Sequence, residues 1–162
     1  VSLGESYAAE PYPWPEIRLA ELYLLYSEAL NELNGPTPET FKWIDLVRAR
    51  GGLETVEAAW TQYSKQPGKY QSKEGLREII HQERMIELAF EGQRFWDLRR
   101  WKKAEQVMNA PIQGWDIEEE ETNAYYEVKT LFNQTFQKRD YFWPIREESL
   151  IENERLVQNP GW

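Results

Sequence analysis

Between Glu83 and Trp101 the chain reads ERMIELAFEGQRFWDLRRW, which gathers four acids and four arginines around an apolar stripe. Two chemistries fit such a run. Paired carboxylates serve general acid–base or glycosidic hydrolysis when they face an open cleft with few competing cations. Carboxylates and guanidiniums can instead neutralise one another inside a helical core, where an unpaired charge is costly. Ile79, Ile86 and Phe90 recur at helical spacing with Glu83 on the same stripe, so that carboxylate needs a guanidinium. Arg84 with Glu87, Glu91 with Arg94 and Asp97 with Arg100 stand three residues apart and can meet on one helix face. With an arginine within a turn of every acid, the run reads as a structural ion-pair network of Glu83, Arg84, Glu87, Glu91, Arg94, Asp97 and Arg100. No catalytic residue is assigned.

Other reactive side chains are scarce. His81 is the only histidine and cysteine is absent, which removes histidine metal sites, thiol nucleophiles and disulfides. No phosphate-binding glycine loop or nucleophile elbow occurs, so neither a cofactor nor a metal is expected. From Asp116 to Glu127 the chain carries six acids and no base, a composition typical of a solvated, mobile loop. Calcium is the sharper reading of those oxygens, but the spacing offers no recognisable loop pattern and no glycine at the turn.

Helices must carry these groups. Pro11, Pro13 and Pro15 exclude regular helix before Glu16, with Pro15 suited to the first helical position. Glu16–Asn34 is apolar on most faces, as in a helix buried between neighbours, and Gly35 ends it. Thr37 and Pro38 cap a second helix to about Arg50, with Phe41, Ile44, Val47 and Trp43 on its core face. The short Gly-Pro turn makes the two a helical hairpin. Gly51–Gln71 reads as a long connector, of the kind that is often functional. Ser72 caps a third helix reaching Gly92, where a kink precedes renewed helix to Met108 and a stop at Pro111. Beyond Ile112 the pattern turns irregular, with one short strand through Tyr126, Val128 and Thr130, then a helical turn over 147–151.

At 162 residues the chain suits one compact domain, and a net charge of −9 excludes the basic footprint of a nucleic-acid binder. Mean hydropathy is −0.77 and no apolar run approaches membrane-spanning length. Eight tryptophans in an acidic, polar chain match the profile of sugar-binding surfaces, because flat rings stack on pyranose faces; a bulky helical core has the same profile.

Four blocks in order carry a resemblance: Arg18-x-Ala20-Glu21 running to Ser27-Glu28-Ala29-Leu30, then Val47-Arg48-x-Arg50-x-Gly52, then Glu83–Trp101, then Pro144-Ile145 with the terminal QNPGW of Gln158–Trp162. Together they resemble the C-terminal part of SusD/RagB-type proteins, the nutrient-binding outer-membrane lipoproteins of Gram-negative bacteria. The resemblance implies a mainly α fold, a SusD-like superhelix with tetratricopeptide-like helical hairpins plus further helices and long irregular C-terminal segments. It further implies that residues 1–162 form the C-terminal helical domain of a longer protein, whose lipid anchor lies outside this chain. The implied role is non-enzymatic: capture of an oligosaccharide or peptide at the outer-membrane cell surface and delivery to a TonB-dependent, SusC-like transporter. Aromatics in loops, Trp60, Tyr63, Tyr70 and Trp115, are then the candidate ligand contacts. A stand-alone helical-hairpin module that docks a partner protein is the alternative.

Overall fold

The first hairpin begins where extended backbone at Arg18 gives way to helix, without a side-chain cap. The computed structural model describes residues 15–162, so the expected extended lead-in through Pro11 and Pro13 lies outside the described residues. Helix α1 spans Leu19–Asn34 and follows Arg18 in extended backbone, so Pro15 precedes the helix instead of opening it. At its other end Gly35 takes φ 74°, and its N–H donates to the Asn31 carbonyl at 2.9 Å. That left-handed turn is open to glycine at little cost.

The expectation that α1 is buried all round is corrected. Only one seam is covered: Ala20, Leu24, Ser27, Glu28 and Asn31, while Leu19, Leu22, Tyr26 and Leu33 remain exposed. The seam is narrow because its polar members bond to neighbouring backbone. Ser27 Oγ donates to the Thr40 carbonyl at 2.9 Å, and Asn31 Nδ2 donates to the Lys73 carbonyl at 2.9 Å. These two bonds fix the register of α1, although Asn31 Oδ1 is itself buried without a hydrogen-bond partner among the described residues.

Helix α2, Pro38–Arg50, starts as its sequence directs, with Thr37 Oγ1 accepting from the Thr40 N–H at 3.2 Å. Ile44 and Val47 are buried and Phe41 and Trp43 are half-buried. Trp43 packs between Tyr23 and Tyr26 of α1, with centroids 5.2 and 5.1 Å away. The long connector is instead structured. Thr55 caps a further helix α3, Val56–Tyr63, and a 3-10 turn follows at Lys69–Gln71. Asp45 Oδ1 accepts from the Val56 N–H at 2.8 Å, so α2 itself orders the start of α3.

Helix α4 runs Lys73–Glu87 behind its cap Ser72. Gly75 is required by close approach, since a Cβ there would stand 1.9 Å from the Lys69 carbonyl oxygen. Leu76, Ile79 and Ile80 join Ala20, Leu24, Ile44, Val47 and Val56 in one core. The stripe read as Ile79, Ile86 and Phe90 is corrected, because Ile86 and Phe90 are exposed and Leu88 is buried in their place. The helix stops at Glu87; Phe90 at φ 66° and Gly92 at φ 77° form the break that a single kink at Gly92 was expected to make.

The chain divides into two compact units, the first ending at Ala89 and the second spanning Phe90–Trp162, where its length alone suggested one body. The second unit contains α5 (Gln93–Arg100), α6 (Ala104–Met108), β1 (Ile112–Trp115), α7 (Thr122–Tyr125), β2 (Val128–Phe132) and α8 (Glu147–Glu152). Its core is small: Leu98, Ala104 and Phe136, with Met108 and Tyr141 packed against them. The expected strand exists as β2, and it has an unforeseen antiparallel partner in β1, with Trp115 opposite Val128 and Gly114 opposite Lys129. Side chains bonded to backbone hold the rest. Asn109 Nδ2 donates to the Phe136 carbonyl at 3.0 Å while its Oδ1 accepts from the Phe136 N–H at 2.7 Å. Gln158 does the same for Ile145, at 2.9 and 2.8 Å. Trp162 Nε1 donates to the carbonyls of Phe142 and Arg139 at 3.1 and 3.2 Å, and Arg139 lies over its ring. Among the described residues no helix is long and apolar enough to cross a membrane.

Candidate functional site

The charged run divides between the two units. Glu83 meets Arg48 of α2, whose Nε also donates to the Glu54 carbonyl at 2.8 Å. Glu87 receives both Arg18 and Arg50. Burial pushes the Glu83 carboxyl above the usual glutamate range, against the pull of Arg48. Arg84 is almost fully buried on the same helix. In the second unit Asp97 accepts from Arg100 Nε at 2.9 Å, the i,i+3 geometry its spacing suggests. Burial pulls the Arg94 guanidinium below its ordinary value, with the Asp97 carboxylate opposing. Glu91 sits in the turn between α4 and α5, so the helical spacing counted from Glu91 to Arg94 does not apply. Glu83 and Glu87 are thus engaged by guanidiniums from other segments. What that arrangement does chemically is neutralise buried charge.

Sequence spacing sees partners on one helix and misses those far along the chain. Arg48, Arg50 and Arg18 lie between 35 and 69 residues from the carboxylates they meet. The one available signal was that Arg18, Arg48 and Arg50 sit at the ends of α1 and α2, where a hairpin brings its termini together.

The four aromatic candidates fall in different surroundings. Trp60 and Tyr63 belong to α3 and not to a loop. Trp60 is half-buried against the first core, with the Lys69 ammonium 5.4 Å from its ring centroid. Tyr70 packs on the same core edge-on to Phe41, and its hydroxyl lies 3.3 Å from Thr61 Oγ1. Tyr63 is 68% exposed. Trp115, 54% exposed, ends β1 in the second unit.

Around Trp115 the second unit builds a ring cluster. Tyr126 stands edge-on to the indole at 5.1 Å, Tyr125 lies 6.2 Å away, and the two tyrosines pack edge-on to each other at 5.1 Å. The backbone makes this possible. The Asp116 N–H donates to the Tyr125 carbonyl at 3.0 Å, closing the acidic loop so that α7 returns both tyrosines to the strand end. Asp116 and Lys129 pair across the hairpin, and that hydrogen bond holds the Asp116 carboxyl below its ordinary value. The acidic run is therefore in part ordered by a helical turn, where a mobile loop was expected. Among the described residues no three acid or histidine side chains converge as metal ligands. An exposed indole backed by two phenols, in a loop rich in carboxylates, can stack on a sugar face and accept its hydroxyls. The Tyr125–Tyr126 pair was visible in the sequence only as the end of the acidic run.

The whole chain has relatives. Residues 3–162 match the SusD family. SusD-like protein P2 of Formosa agariphila is 31% identical over 147 residues, which cover 90% of this chain and 25% of that protein. A solved SusD-like protein (BF3747) of Bacteroides fragilis superposes with a TM-score of 0.70 at 30% identity, covering 88% of this chain and 25% of that one. A SusD-like carbohydrate binding protein (BF0978) of the same species gives 0.66 at 30% identity, covering 88% of this chain and 28% of that one. The chain spans about a quarter of the length of the curated relative it matches.

Proposed function

The chain belongs to the SusD family, and on that premise we propose that it serves a surface lipoprotein that captures an oligosaccharide and passes it, uncut, to a TonB-dependent SusC-like transporter in the outer membrane. The carrying observation is the exposed Trp115 with Tyr126 edge-on beside it, in a chain similar to a carbohydrate binding protein. A ring held at its edge by another ring presents a flat, low-entropy face to a pyranose. Trp115 and Tyr126 are the proposed contacts in the second unit; in the first unit Tyr63 alone of the candidates is exposed, whereas Trp60 and Tyr70 commit much of their surface to packing. The network of Glu83, Arg84, Glu87, Asp97 and Arg100 is proposed as structural, since its carboxylates are neutralised and not poised for proton transfer.

The reading is tested by fractionating source cells and blotting with an antibody raised against this chain. It expects a band several times larger than 19.4 kDa in the outer-membrane fraction, co-purifying with a TonB-dependent transporter. A soluble band near 19.4 kDa with no transporter attached would remove the capture-and-import role.

A further inference from the structure

Charge is unevenly distributed in the second unit. In a chain of net charge −9, Arg99, Lys102 and Lys138 line one open cleft together with a single acid, Glu105, and the rings of Tyr141 and Phe142. Its volume is about 450 Å³, within the range of small-molecule sites. Among the described residues none of the three cations has a carboxylate within ion-pair distance. Surface lysines and arginines in an acidic protein ordinarily find such partners; here they converge and do not.

The cleft is also built with some rigidity. The Arg99 guanidinium lies 4.9 Å from the Phe95 ring centroid, 5.5 Å from that of Trp143 and 5.9 Å from that of Phe136. Rings hold the plane of a guanidinium while leaving its N–H edge to donate, which preorganises a fork for an oxyanion. Lys102 sits at φ 54°, a left-handed conformation that a non-glycine residue adopts at some cost. The Tyr141 hydroxyl is fixed by the Glu105 N–H, which donates to it at 3.3 Å. The exposed Phe142 ring adds an apolar wall. Cations with one aromatic wall suit a sugar ring that bears an anion, and they suit a bare inorganic ion less well.

We propose that this cleft, lined by Arg99, Lys102, Lys138 and Phe142, binds the oxyanion of an acidic saccharide, a uronate carboxylate or a sugar sulfate ester. This rests on the capture role proposed above and names the substrate class for it. The Arg99 fork takes the oxyanion, the two ammonium groups complete its neutralisation, and the Phe142 ring lies against the carbon face of the same residue. Charge-assisted bonds of this kind are the strong ones.

The test titrates the full chain with an oligouronate, a sulfated oligosaccharide, a neutral oligosaccharide of equal length and inorganic sulfate. Lys102→Gln/Lys138→Gln is the test variant, because both side chains are exposed and neither belongs to the core. At least one acidic saccharide should bind ~10-fold more tightly than the neutral one, and the variant should lose about that factor for it alone. Which acidic ligand shows the effect assigns carboxylate or sulfate. Equal affinity for neutral and acidic saccharides, unchanged in the variant, would overturn the acidic subsite and leave the capture role standing. Binding of inorganic sulfate as tight as that of the acidic saccharides would overturn it in favour of a simple ion site. Absence of binding by every saccharide would overturn the subsite, while the outer-membrane fractionation above decides the capture role separately.

Discussion

The two units of this chain hold themselves together by different means. The first, ending at Ala89, has a core of eight buried residues drawn from four helices, with polar seam residues and ion pairs along its margin. The second, Phe90–Trp162, buries only Leu98, Ala104 and Phe136 among its apolar residues and relies on amide side chains that bracket distant backbone. Hydrophobic burial grows with the number of packed side chains, whereas a neutral hydrogen bond adds only about 0.5–1.5 kcal/mol net. The second unit therefore leaves more of its aromatic surface uncommitted. Trp115, Tyr126, Phe142 and Trp143 are all exposed there. A weakly cored unit with free rings is well suited to hold a ligand.

Breaking the first unit should cost most. Arg48→Ala leaves the Glu83 carboxylate buried without its guanidinium and frees the Glu54 carbonyl, so urea unfolding should show a loss of ~3–5 kcal/mol. A loss below about 1 kcal/mol would mean that the pair is solvated and that the margin of this core is loose.

In the second unit the terminal bracket comes next. Removing residues 158–162 deletes the Gln158 clasp on Ile145, the Asn159 bond to the Trp143 carbonyl and the Trp162 indole bonds. Its melting transition should fall by about 4–8 °C for each kcal/mol lost from a unit of this size, and an unchanged curve would show that the tail is loose. Asn109→Ala should cost less, ~1–2 kcal/mol, because its bonds to Phe136 and to the Glu105 carbonyl go while no core side chain is removed.

The smallest effect is in pH dependence, and its sign differs between the units. Asp116 titrates below its ordinary 3.8 because Lys129 is bonded to its charged form. Its contribution is present above pH 3.8 and is lost as pH falls through the lower folded value. Glu83 is raised above 4.5 by burial, so the folded chain takes up that proton first. Acidification from neutral pH through its folded value towards 4.5 consequently favours folding at that site. Asp116→Asn should flatten the acid-side decline, and Glu83→Gln should abolish the opposing gain. Urea titrations followed by tryptophan fluorescence between pH 3 and 7 would separate the two, and curves of the same sign would contradict this contrast.

The same contrast explains how much could be read from the sequence. Thr37-Pro38, Ser72 and Gly35 announce their helix ends because a cap is a local interaction, and Ile44, Val47 and Ile79 announce the core through helical spacing. Arg48 with Glu83 could not be read, since a pairing 35 residues apart depends on a hairpin already folded. Helix α3 was hidden in a polar stretch, where Asp45 from α2 supplies the bond that fixes its start. The strand partner β1 was missed because its burial alternates while its residue types do not: Gly114, against Leu131, holds an inner position and the indole of Trp115 an outer one. Of the ring cluster, Trp115 was singled out; Tyr126 joins it only through the return of the chain at α7. The cationic cleft draws Arg99 and Lys138 from segments 39 residues apart in the chain, and local spacing could not foresee it.

Isothermal titration of the full chain with an oligosaccharide it binds, repeated on Trp115→Ala and on Trp60→Ala, separates the two units. Trp115→Ala should bind about 2- to 10-fold more weakly with an unchanged melting curve, since stacking on one ring contributes ~0.5–1.5 kcal/mol. Trp60→Ala should bind normally and melt earlier. The reverse pattern, with ligand lost at Trp60 and kept at Trp115, would place capture on the first unit and contradict this division between the two.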